Sequence, residues 1–143
     1  MVKVLALGML LVTNMAMAEF SGTWRGVGKE VNTFEPISAH CSEIAITLRQ
    51  TPTVLYVDTL NVRCRGLEKR LPFQLEIRNG KLFLGQREYG YITENLLRFY
   101  EYNTHNGHEF RRTEDFILEN GILKYRLDDT SDEGTYLIEG VLP

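Results

Sequence analysis

Helical periodicity is missing from this sequence beyond a few residues at a time, and so are linkers, low-complexity tracts and composition breaks. The first absence speaks against helical bundles and α/β folds, and the second leaves one domain. Basic residues are in short supply. Lys3 is one of 16 Lys and Arg residues, so residues 19–143 hold 15 of them against 19 acidic ones. That deficit argues against nucleic acid, whose binding rests on clustered Lys and Arg displacing counterions. There is no Gly-x-Ser-x-Gly elbow, no phosphate-binding glycine loop and no His-Glu-x-x-His helix. Carboxylates are plentiful, but neighbours such as Asp128-Asp129 and Glu114-Asp115 point to opposite faces of a strand and cannot converge on one substrate. The expectation is a non-enzyme without a cofactor.

One apolar run stands out, at the start. Lys3 precedes an apolar stretch over residues 4–12, and Ala16-Met17-Ala18 follows as a small-x-small cleavage site. The run is too short to span a bilayer. The order predicts a signal peptide over residues 1–18 and a single mature domain over residues 19–143, in the periplasm or secreted. No Cys follows the cleavage point, which speaks against a lipid anchor. The only two cysteines, Cys41 and Cys64, lie in the mature part. In an exported chain an isolated pair predicts a disulfide rather than a metal or redox site.

The punctuation is that of β-hairpins. Asn-Gly occurs at Asn79-Gly80, Asn106-Gly107 and Asn120-Gly121, each between β-prone runs. A type I′ turn needs positive φ at both central residues, which Asn-Gly tolerates best. These corners set testable registers. Around the first, Ile77 faces Leu82 and Leu75 faces Leu84, with Gln74, Glu76, Arg78 and Lys81 on the other side. Around the second, Glu101 meets Arg112, Arg98 meets Asp115 and Leu97 meets Phe116. Around the third, Leu118 faces Leu123, Phe116 faces Tyr125 and Asp115 meets Arg126. A turn at Pro52-Thr53 sets Cys41 opposite Cys64, whereas matching Ile44 with Leu60 and Leu48 with Tyr56 prefers a register shifted by one. A β-bulge between turn and disulfide reconciles them.

The count is nine strands, over 22–31, 41–50, 53–64, 71–79, 81–88, 95–105, 108–119, 122–130 and 135–142. A meander this long escapes its exposed edges best by closing. The expected fold is all-β: an antiparallel up-and-down barrel of eight to nine strands with one disulfide. The charged outward face at Glu76, Arg78 and Lys81 argues against an outer-membrane barrel.

Phe20-Ser21-Gly22-Thr23-Trp24-Arg25-Gly26 resembles the opening strand of lipocalin and calycin-like barrels, where a Gly-x-Trp motif starts the first strand. The resemblance implies that Trp24, the only Trp, plugs the closed end, with Gly22 beside it. It also implies a late Arg stacked on the indole, Arg126 or Arg112, and a small, partly apolar ligand in the barrel. The same opening with Cys41 and Cys64 is similar to small periplasmic inhibitors of metalloproteases. Those extend an N-terminal trunk, where this chain has only Glu19 and Phe20 ahead of the barrel.

Alternation places Arg112 and Glu114 on the inner face with Phe110, Phe116 and Tyr125, and Glu101 opposite with Leu97 and Phe99. Charges inside a barrel are costly unless paired, hydrated or used to hold a ligand. Arg112, Glu101, Tyr125, Phe99 and Glu114 are therefore the expected ligand contacts, of a small molecule or, alternatively, in a protein-interaction module. His105 and His108 flank a hairpin tip without a third ligand, so no metal site is expected. Asp128, Asp129, Asp132 and Glu133 read as a solvated acidic turn. Tyr89, Tyr91, Tyr100 and Tyr102 follow from β-propensity. A monomer is expected.

Overall fold

The structure, a computed structural model, describes residues 19–143 apart from Pro36, with the backbone alone at Ile37 and His105. The expected signal peptide lies outside the described residues. Among these there is no helix. The strands are β1 (Gly22–Asn32), β2 (Ile37–Gln50), β3 (Val54–Arg63), β4 (Leu67–Lys69), β5 (Phe73–Arg78), β6 (Lys81–Leu84), β7 (Arg87–Ile92), β8 (Leu96–His105), β9 (His108–Glu119), β10 (Ile122–Ser131) and β11 (Gly134–Leu142). Sequence neighbours pair throughout except β4 with β5, and β1 pairs with β11, so the meander closes into a barrel. The short β4 and β5 share one edge of β3 and act as one interrupted strand.

The ring thus has ten members rather than eight to nine. The single strand expected over 81–88 is in fact two. The chain reverses at Gly85-Gln86, with Leu84 paired to Arg87 and Gly85 at φ 62°. A glycine at the first central position with positive φ suits a type II′ hairpin turn, a weaker sequence signal than Asn-Gly.

The three Asn-Gly corners have both residues in the left-handed region, with φ between 50° and 52° for Asn and 75° and 79° for Gly. Their registers are as the alternation requires: Ile77 opposite Leu82, Arg98 opposite Asp115, Glu101 opposite Arg112, Leu97 opposite Phe116 and Phe116 opposite Tyr125. Leu84 departs from the inward row and is half-exposed, because the chain is already turning at Gly85. The Cys41–Cys64 disulfide ties β2 to the end of β3. A bulge lies between the turn and the disulfide, but it shifts the register the other way from hydrophobic matching. Asp58 is the extra residue on β3, so Leu48 meets Val57, Ile46 meets Leu60 and Ile44 meets Val62. Burial shows the reason: Leu55 and Val57 face in before the bulge, Leu60 and Val62 after it.

Trp24 lies at one end of the lumen, nearly fully buried, with its Nε1–H directed at the carbonyl of Gly121, 3.4 Å away. A Cβ on Gly22 would stand 3.0 Å from the indole Cη2, which accounts for the glycine two residues before the Trp. Phe20, fully buried, completes the plug, and its backbone N–H donates to Gln50 Oε1 at 2.8 Å. Neither late Arg stacks on the indole. Arg126 faces outward and pairs with Glu139, and Arg112 binds Asp129. Beyond the plug an aromatic ladder crosses the interior. Phe73, Tyr89, Phe99, Phe116 and Tyr125 follow one another at centroid spacings of 5.2 to 6.0 Å. Close approach is enforced at Gly90, where a Cβ would fall 1.8 Å from the Arg98 carbonyl oxygen.

Outside, Lys29, Glu139, Arg126, Asp115 and Arg98 stand side by side across five strands. Lys29 and Arg126 flank Glu139 at 3.5 and 3.1 Å, and Arg98 holds Asp115 in a two-pronged pair at 2.6 and 2.7 Å. This belt of alternating sign is the opposite of a lipid-facing apolar band. Among the described residues no helix is long and apolar enough to cross a membrane.

Candidate functional site: the charged mouth of the barrel

At the end away from Trp24, the inward rows change character. On β9 the inward series passes from Phe116 to Glu114 and Arg112; on β10 it passes from Tyr125 and Leu127 to Asp129; on β8 from Phe99 to Glu101. Period-two alternation forces these side chains into the lumen whatever their polarity. Each must then find a partner there.

Glu114, only 2% exposed, accepts from Tyr125 Oη at 2.7 Å and from Arg70 Nη1 at 2.7 Å. Arg70 comes from the break between β4 and β5, 44 residues away in sequence. Burial works against its charge, but the Glu114 carboxylate, by its field and its hydrogen bond, more than compensates and lifts the guanidinium above its ordinary pKa. Glu101 and Arg112 stand opposite in register, yet Arg112 gives its two prongs to Asp129 on the other flank, at 2.9 and 2.6 Å. The hydrogen bond to Asp129 raises the Arg112 pKa. Glu101 instead acts on Tyr89, whose phenol its charge helps to keep protonated. Nearby, buried Glu30 is held by Arg65 at 2.8 Å, next to the disulfide.

Phe99 and Tyr125 are almost wholly buried rungs of the ladder, so their contribution to a site is to form its floor. Arg112, Glu101 and Glu114 do converge on one end of the lumen. Sequence reasoning missed Arg70, Asp129, Glu30, Arg65 and Tyr136. Only Asp129 carried a readable signal, since it falls in the same inward row as Tyr125 and Leu127. Above the charges lies an apolar rim: Phe34 meets Phe110 at 6.4 Å, and Leu67 is half-exposed. A cleft of about 300 Å³ opens among Glu30, Val62, Arg65, Glu68, Tyr136 and Ile138. No known family model, curated protein or solved structure matches the chain. Its likeness to lipocalin-type barrels is therefore one of architecture, a closed antiparallel barrel.

The expected acidic turn is partly tied down. His108 Nδ1 lies 3.1 Å from Asp132 and Nε2 lies 3.1 Å from Glu133. The His105 side chain lies outside the described residues. Among those described, no three His, Cys, Asp or Glu side chains form a metal-binding group.

The mouth has a signature in alkali. Burial first, then the Glu101 field, pushes Tyr89 up to about 12 from 10.0; burial and then Glu30 do the same to Tyr136. Tyr125 is raised well above its ordinary value by burial and then by Glu114. These phenols stay protonated in the fold at pH values where the unfolded chain has begun to ionise. Their stabilisation is whole below about pH 10 and is lost as pH rises through 12. For Tyr89, 9% exposed, the loss is on the order of 2 kcal/mol. Urea midpoints between pH 8 and 12 should fall steeply above pH 10, and less so in Tyr89→Phe; superimposable pH profiles would contradict the assignment.

Proposed function

We propose that the protein is an exported, non-catalytic binding protein that holds a small, partly apolar ligand at the open end of its barrel. The observation that carries this reading is the placing of two Arg–carboxylate pairs, Arg70–Glu114 and Arg112–Asp129, in a lumen that is otherwise apolar, with Glu101 beside them and buried Glu30 held at the edge by the exposed Arg65. Such groups are expensive to bury and contribute little net stability over apolar replacements, whereas a few convergent polar groups under an apolar rim orient a ligand. Arg112 and Glu101 are the contacts nearest the rim, and Glu114 and Tyr125 form the floor. The disulfide is compatible with an oxidising compartment, which fits a periplasmic or secreted monomer.

The filled lower lumen supports a second reading, a protein-interaction module such as a hydrolase inhibitor, because the aromatic ladder confines any ligand to the mouth. Native mass spectrometry of the full chain, purified from the cell that makes it, separates the two. The first reading predicts a non-protein adduct on the wild type that is lost from Arg112→Met and weakened in Glu101→Gln. A bare monomer, or a stoichiometric protein partner, would overturn it.

A further inference from the structure

A second concave site lies on the outer wall, on the opposite side of the sheet from the charges of the mouth. Cross-strand pairing aligns Val27 of β1, Val141 of β11, Lys124 of β10 and Ile117 of β9 in one outward row. Val27 is 53% and Val141 56% exposed, an apolar pair left in water beside a belt of charge. The surface there is sunken for a local reason. A Cβ on Gly26 would fall 2.4 Å from the Val141 carbonyl oxygen, and one on Gly28 would fall 2.2 Å from that of Glu139. Gly28 pairs directly with Gly140, whose missing side chain leaves room for Ile44 Cδ1, 2.4 Å from where a Cβ would stand. With no side chains between them and Ile44, β1 and β11 sink toward the lumen, and a groove of about 670 Å³ is left outside. That size is typical of a site for one small ligand.

The rim has one predominant sign. Lys29, Lys124 and Arg126 line the groove against a single carboxylate, Glu139, on a chain whose overall charge is negative. Glu139 is already shared between Lys29 and Arg126. Lys124 pairs with Glu119, and Arg126 also reaches Asp128. The three cationic side chains are 49% to 65% exposed. Exposed pairs of this kind contribute little, so exchanging one for a ligand's carboxylate costs little.

We infer that this groove binds a single-chain anionic amphiphile, a free carboxylate with an alkyl tail. The tail lies over Val27, Val141 and Ile117, and the head sits among Lys124, Arg126 and Lys29. The occupant is a dispersed molecule rather than a bilayer, because the neighbouring row carries both signs and the apolar floor is only a few side chains wide.

The test is a titration of the full mature protein with sodium decanoate below its micelle threshold, followed by backbone amide NMR, with 1-decanol as the uncharged control. Saturable one-site shifts are expected at residues 27, 117, 124 and 141, with decanol about tenfold weaker. Val27→Asp with Val141→Asp, both outward and exposed, should weaken decanoate at least tenfold, and Lys124→Glu should do so independently. Shifts confined to Glu101, Arg112 and Glu114 would overturn the outer site while favouring the mouth. A dimer that covers Val27, or binding seen only with anionic vesicles, would also overturn it.

Discussion

Trp24→Ala is expected to lower the unfolding free energy by about 4 kcal/mol, within the span seen when a buried aromatic is cut back to Ala. The indole is 7% exposed, closes one end of the lumen and packs over Gly22, where a Cβ would already be at 3.0 Å. Its removal opens a void beneath Phe20 and frees the Gly121 carbonyl of its Nε1 donor. Neighbouring strands cannot close that void, because their registers are fixed by the turns at Asn120-Gly121 and by the β1–β11 pairing. Trp24→Phe keeps most of the apolar contact and should cost about half as much. Urea unfolding followed by far-ultraviolet circular dichroism reads both variants. A loss below about 1 kcal/mol for Trp24→Ala would mean that the plug carries no packing.

The second large effect is at the other end. Arg70→Met is expected to cost about 3 kcal/mol, since removing one partner of a buried pair strands the other charge. Glu114 is 2% exposed and would keep only the Tyr125 hydroxyl. Methionine retains the apolar stem of Arg70, so the loss reports the guanidinium. Arg49→Met is a useful comparison: the Arg49–Asp58 pair is well formed but on the outer surface, and its loss should be within a few tenths of a kcal/mol. Equal costs at the two positions would show that the mouth charges are solvated.

Local chemistry explains what was readable in the chain. Three Asn-Gly corners each pin a register, and period-two alternation then assigns the faces, so the meander, its closure and the inward position of Arg112 and Glu114 follow without any long-range information. The strand split at Gly85 was not readable, because a glycine followed by Gln inside a β-prone run gives a weaker turn signal. The direction of the Asp58 bulge was hidden as well. Hydrophobic matching supposes that every apolar residue of β3 shares one face, whereas the bulge exchanges faces midway and leaves Tyr56 on the outer face, opposite Arg49, which lies over its ring. Polar partners were the hardest part. Arg112 has acids opposite on both flanking strands, and the register allows either; the choice of Asp129 is made by side-chain geometry. Arg70 arrives from a strand break 44 residues before Glu114, which no local pattern encodes.

Both the fold of the mouth and its proposed use require that its charges be held by one another rather than by water. The direct measurement is a double-mutant cycle in urea on Arg70→Met, Glu114→Gln and the combined variant. A coupling energy on the order of 2 kcal/mol, with the double variant recovering much of the Arg70→Met loss, is the expected result. Coupling below about 0.5 kcal/mol, as for a pair in open solvent, would contradict it.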